Sequence, residues 1–126
     1  MPQDYVQARQ WFEKAAAQGL AVAQYKLGYL YAEGQGVPQD YVRAREWYER
    51  AATQGLAVAQ YNLGYLYAEA HGVPQDYIQA HKWYNLAGAN GDKEAASLRD
   101  ALAKKMTQDQ IAEAQRLARE WKPKNP

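Results

Sequence analysis

In the segment DYVRAREWYERAATQG, residues Ala44, Trp47 and Ala51 fall at i, i+3 and i+7, one apolar stripe down a helix. In AVAQYNLGYLYAE, Ala59, Leu63 and Tyr67 fall at i, i+4 and i+8, again on one face. Asp40 stands where an N-cap belongs, its carboxylate able to accept a free backbone N–H of the first turn. Pro38 lies just outside that helix, where its missing N–H costs little. Gly55 is placed to end the helix in the left-handed conformation, and Gly72 to turn the chain at positive φ. The pattern predicts two helices joined by short turns.

That unit is written more than once. The phrase Pro-Gln-Asp-Tyr occurs at Pro2, Pro38 and Pro74, with a period of 36 residues. Pro2–Val37 and Pro38–Val73 differ only at Gln7/Arg43, Gln10/Glu46, Phe12/Tyr48, Lys14/Arg50, Ala17/Thr53, Lys26/Asn62, Gly34/Ala70 and Gln35/His71. A third copy holds through Trp83 and Ala87 and degenerates after Gly91. The expected organisation is a single repeat domain over 1–126: repeats at 2–37 and 38–73, a partial repeat at 74–106, a capping helix at 107–122 and a frayed tail at 123–126. Thr107 with Gln110 reads as a capping box. Ile111, Ala114, Leu117 and Trp121 then form an apolar stripe on a helix expected to fold over the open end of the array, which terminal units need.

Gly28 and Gly64 sit inside predicted helices, where glycine costs about 1 kcal/mol relative to alanine. Their recurrence predicts close helix approach, with a tryptophan of the adjacent helix over the missing side chain. Trp11, Trp47 and Trp83 share one repeat position on the packing stripe, so core packing is preferred to ring stacking on a ligand.

The pattern Ala-x-x-x-Leu-Gly-x-x-Tyr-x-x-Gly-x-Gly-Val-x-x-Asp-x-x-x-Ala-x-x-Trp-x-x-x-Ala-Ala-x-x-Gly, read from Ala23 and again from Ala59, resembles the Sel1-like repeat family, relatives of the tetratricopeptide repeats. It departs from the family at Ala70, where glycine is preferred, and at Gly88, where alanine is. The resemblance covers about residues 2 to 91. It implies an all-α fold, a right-handed α-solenoid of antiparallel helix pairs with a concave binding face. It also implies a non-enzymatic adaptor that holds another protein or peptide. Some secreted relatives are suspected hydrolases, but those tend to carry cysteine pairs.

Composition narrows the chemistry. Lys and Arg number 15 and Asp and Glu 14, a net charge of +1 that gives no reason to expect nucleic acid or an anionic membrane. With no cysteine, there is no disulfide and no thiolate ligand. No apolar stretch is long enough to span a bilayer. No leader opens the chain, so as given it reads as cytoplasmic, or periplasmic or secreted if a leader was removed. His71 and His81 read as variable surface positions, too few for a metal site. Asp4, Asp40 and Asp76 are explained by capping, and GQGVPQD lacks the Lys and spacing of a phosphate-binding loop. No cofactor is implied.

The informative positions are those that packing does not need. Val22, Lys26, Tyr29 and Glu33, with their sisters Val58, Asn62, Tyr65 and Glu69, fall on one stripe that a solenoid of this type turns to its concave side. They are the expected partner-binding residues, with tyrosine as the interface anchor. A second expectation concerns the N-terminal end. The chain starts at the second helix of a unit, with Met1 where Val37 and Val73 stand later. The face around Tyr5, Ala8, Trp11 and Phe12 is therefore expected to be incompletely covered and to favour self-association into a homo-oligomer.

Overall fold

The computed structural model describes residues 2–72 and 74–124. It contains seven helices among them: α1 (Pro2–Ala17), α2 (Ala21–Glu33), α3 (Tyr41–Thr53), α4 (Ala57–Glu69), α5 (Tyr77–Ala89), α6 (Lys93–Ala103) and α7 (Gln108–Glu120). Each helix from α1 to α6 packs against the next, and α7 packs against α5. This is an α-solenoid of antiparallel helices, the fold class read from the sequence. Met1, Val73, Asn125 and Pro126 lie outside the described residues, and with them the alignment of Met1 with Val73 and the last two residues of the tail.

The repeated phrase has a structural meaning at each position. Asp40 and Asp76 accept the backbone N–H of Arg43 and Gln79, each at 3.1 Å, which caps α3 and α5. Gln39 and Gln75 donate their side-chain amides to the carbonyls of Ala32 and Ala68 near the ends of the preceding helices. The phrase thus opens one helix and closes the one before it. Asp4 is different: α1 begins at Pro2, so Asp4 lies inside the first helical turn and does not act as an N-cap.

The core is built on small residues and leucines. Ala44, Ala51, Ala52, Ala59, Leu63, Ala80 and Ala87 have no exposed surface. Alanines let the helices approach, and the glycines take this furthest. A Cβ at Gly64 would stand 2.9 Å from Tyr84 Cδ1, and one at Gly28 2.8 Å from Tyr48 Cδ1. The residue over each glycine is therefore a tyrosine, not the expected tryptophan. It sits one place after the tryptophan in the repeat, so it falls on the side of the helix that faces the glycine. Gly72 has φ +75°, and a Cβ there would meet the carbonyl of Tyr41 at 2.6 Å; only glycine fits.

The three tryptophans do not share one environment. Trp83 is 4% exposed and Trp11 is 72% exposed, while Trp47 is half-buried. The expectation that all three are core is corrected at Trp11. The cause is what neighbouring helices bring to each ring. Trp83 meets Trp121 of α7 edge-on at 6.2 Å and Trp47 packs against the cluster of Ala16, Ala23 and Leu27, whereas Trp11 has the Lys14 ammonium of its own helix at 5.6 Å.

The capping box at Thr107 and Gln110 forms in both directions, at 3.1 and 2.9 Å. Ala114 is buried, and Ile111, Leu117 and Trp121 are half-buried. The helix they belong to packs on α5 and brings Trp121 against Trp83, so it covers the side of the array and does not continue the stack beyond α6. The chain then returns toward α3, where the Lys124 N–H donates to Thr53 O at 2.6 Å. This bond joins the start of the tail to the end of α3.

Candidate functional site

Between α2 and α4 lies an open groove of about 290 Å³. Tyr29 and Glu33 from α2 and Asn62 and Tyr65 from α4 line it. These are four of the eight positions singled out on the repeat stripe. Tyr29 and Tyr65 are 43% and 44% exposed, unusually high for large aromatic side chains. Tyr48 of α3 and Tyr61 of α4 also contribute.

One wall was not legible as a wall. His71, in the loop after α4, stacks on Tyr41 with ring centroids 4.5 Å apart and meets the edge of Tyr65 at 5.8 Å. Its loop position was foreseen; its role as an aromatic shelf beside Tyr65 was not. Its Nδ1 is buried, with no hydrogen-bond partner among the described residues.

The remaining stripe positions go elsewhere. Lys26 lines a neighbouring hollow with Phe12, Tyr25, Tyr29 and Leu30, its ammonium 6.0 Å from the Phe12 ring. Val22 is exposed and Val58 half-buried. Glu69 lines a separate hollow with Tyr84, Leu102 and Lys105. Of the N-terminal set, Tyr5, Ala8 and Phe12 are half-buried. Phe12 packs on Ala16, Ala23 and Leu27, leaving Trp11 as the prominent exposed member. A larger hollow, about 530 Å³, opens at the C-terminal ends of α1 and α3 among Gln18, Gln54, Arg50 and Lys124. Its two cations stand near helix carbonyl ends, which they offset electrostatically.

Two of the groove phenols are held neutral by their surroundings. Burial pushes the Tyr48 hydroxyl far above the ordinary phenol range; Tyr25 and Glu33 add to this and Asn62 opposes it. The Tyr61 hydroxyl is pushed up to about 12 by burial and by donating to Glu94 Oε1 at 2.9 Å. Such groups act as hydrogen-bond donors and aromatic surfaces rather than as bases. Among the described residues no group of three or more His, Asp or Glu is placed to hold a metal ion.

His81 departs from its expected surface position. It is 3% exposed, and burial, with the Arg99 charge second, holds its imidazole below the ordinary range. Its sisters Arg9 and Arg45 pair with Glu13 and Glu49 four residues on. In this copy the partner position is Asn85, which instead accepts from Arg99 Nη1 at 2.9 Å. The pair of substitutions exchanges an ion pair for a neutral buried ring.

Two buried glutamines also escaped the sequence reading. Gln24 donates to Ala16 O and accepts from Gln54 at 2.9 Å. Gln60 donates to Ala52 O at 3.2 Å and accepts from Asn90 at 3.1 Å. They tie consecutive turns together. The signal was present: a glutamine repeated inside an otherwise apolar Ala-Val-Ala-Gln-Tyr stretch.

Helix pairs repeating every 36 residues, with an aromatic groove between equivalent helices, define a helical-repeat protein. The chain belongs to the Sel1 repeat family, which matches at residues 1–20, 21–56 and 57–92. These units begin at α2 and α4, half a unit out of step with a division at Pro2, Pro38 and Pro74. Among solved structures, c5321, a protective antigen of uropathogenic Escherichia coli strains displaying this fold, superimposes with a TM-score of 0.94 at 36% identity over 96% of this chain. A Sel1 repeat protein from Oxalobacter formigenes gives 0.68 at 42% identity over 69% of this chain. The chain spans 26% and 36% of the lengths of those two proteins. No curated protein matches it. Sel1 repeats are generally protein–protein interaction modules and typically non-enzymatic scaffolds. No helix among the described residues is long and apolar enough to cross a membrane.

Proposed function

We propose that this chain is a non-enzymatic interaction module that holds a peptide segment or helix of another protein in the groove between α2 and α4. One observation carries the reading: Tyr29 and Tyr65, equivalent residues of consecutive repeats, stand exposed at the groove. Packing does not require them, and rigid tyrosines give large contact area at low entropy cost. The test uses peptides selected from a display library against the immobilised wild-type chain. Tyr29→Ala combined with Tyr65→Ala should abolish their binding while the helical circular dichroism signal and Tm stay within about 2 °C of wild type, as expected for exposed positions. Loss of the fold in that variant would make these tyrosines structural and defeat the reading.

A second reading is self-assembly through the N-terminal end, favoured by the exposure of Trp11. It expects a concentration-dependent increase in molar mass by light scattering that Trp11→Lys removes with the fold intact. A constant monomer mass over a hundredfold range of about micromolar concentrations would rule it out.

A further inference from the structure

We infer that the groove between α2 and α4 selects a cationic side chain, an arginine or lysine on the partner segment. The inference rests on the reading of this groove as a binding site and names the chemistry of what enters it.

The lining is unusually one-sided. Tyr29, Tyr41, Tyr48, Tyr61 and Tyr65 all contribute to it, together with the carboxylate of Glu33. Among the described residues no lysine or arginine lines it. The one repeat position that could supply a cation has been changed: the sister of Lys26 is Asn62, and Asn62 is the residue that faces the groove. Lys26 itself is turned into the next hollow, toward Phe12.

Each tyrosine presents a ring whose face is electron-rich. A cation within about 6 Å of such a ring centroid is attracted by its quadrupole, and several rings around one space compound the effect. Glu33 supplies the formal charge. A second carboxylate stands at its edge, where Glu94 Oε1 accepts from the Tyr61 hydroxyl at 2.9 Å. An acidic partner segment would meet the Glu33 carboxylate with no lysine or arginine among the described lining residues to offset it. An apolar one would leave Asn62 and the tyrosine hydroxyls without new partners, which weakens its case. A guanidinium can stack flat on a ring and still donate to the Glu33 carboxylate, so arginine is favoured over lysine.

The test uses four synthetic peptides, Ac-Gly-Ser-X-Ser-Gly-amide with X arginine, lysine, norleucine or glutamate. Each is titrated into the full chain while the tyrosine ring signals are followed by NMR. The arginine peptide should shift Tyr29, Tyr61 and Tyr65 saturably, at least about fivefold more tightly than norleucine, with glutamate weakest. Glu33→Gln should weaken the arginine peptide about threefold, and added salt should do the same. His71→Lys, which places a fixed positive charge on the groove wall, should weaken it further; circular dichroism checks both folds. Norleucine binding as tightly as arginine overturns the inference. If none of the four shifts these rings while library-selected peptides still do, only the cation preference fails. If neither set does, the groove reading falls with it.

Discussion

Gly64→Ala is expected to destabilise a helix that, by propensity alone, it should strengthen. Gly64 lies within α4, and replacing a helix-interior glycine by alanine ordinarily gains about 1 kcal/mol. Here the new methyl would stand 2.9 Å from Tyr84 Cδ1, 3.0 Å from its Cε1 and 3.2 Å from Ala80 O. The Tyr84 ring is buried and itself tilted against Tyr61 at 6.0 Å, which restricts its retreat to the side of the hollow it lines with Glu69 and Leu102. The carbonyl belongs to the backbone of α5, whose movement would disturb the fully buried Ala80. Over-packing of this kind costs about 1–3 kcal/mol, and a contact against ring and backbone together belongs at the upper end. The net loss is about 1–2 kcal/mol, or about 4–8 °C in Tm for a chain of this length. Urea unfolding followed by circular dichroism measures it. A cycle with Tyr84→Ala locates the cause: with the ring gone, Gly64→Ala should become neutral or stabilising, a coupling of about 1–3 kcal/mol. An unchanged or raised Tm in the single variant refutes the close-approach argument. An equal cost in both backgrounds would move the cause from the ring to the backbone.

The other expectations follow the same repeat logic. Ala70 has φ +59°, left-handed, where its sister Gly34 has φ +67°. Ala70→Gly should relieve about 1–2 kcal/mol of strain and return about 0.4–1 kcal/mol as unfolded-state freedom, raising Tm by a few degrees; a lower Tm would contradict this. Gln60→Leu leaves Asn90 and the Ala52 carbonyl short of a partner and should cost about 1–3 kcal/mol in urea unfolding, whereas a neutral result would mean that water replaces the amide. His81 is held below its ordinary value when folded, so the unfolded chain binds its proton first as pH falls below about 6.5. Its contribution to stability is full above that pH and is lost progressively toward the lower folded value. His81→Gln should flatten the decline of Tm between neutral and mildly acidic pH, and an unchanged slope would remove His81 as its cause.

What was legible in the chain was whatever the repeat imposes equally on every copy. The helices, the Asp40 and Asp76 caps, the turns at Gly55 and Gly72 and the capping box at Thr107 are local, and periodicity exposes them. The stripe carrying Tyr29 and Tyr65 was found in the same way, by subtracting the positions that packing needs. The misreadings arose where equivalent residues have unequal neighbours. Trp11, Trp47 and Trp83 hold the same repeat position, yet α7 packs on α5 and brings Trp121 against Trp83, a pairing that is long-range. His81 aligns with the half-buried, ion-paired Arg9 and Arg45, and its burial goes with the change at Asn85 and with Arg99, which comes from the neighbouring α6. His71 read as a loop variant of Gln35, and its stacking on Tyr41 depends on how one loop meets the start of the previous repeat. Local chemistry survives translation from sequence; which side chain lies over which does not.

The central claim is that recognition occurs between Tyr29 and Tyr65, on the face shared by α2 and α4. A crystal structure of the chain with a peptide selected against it tests this most directly. The account predicts peptide density in the groove, in contact with both tyrosines and with Asn62. Density at the Trp11 end or over the hollow at Arg50 and Lys124, with the tyrosine groove empty, would contradict it.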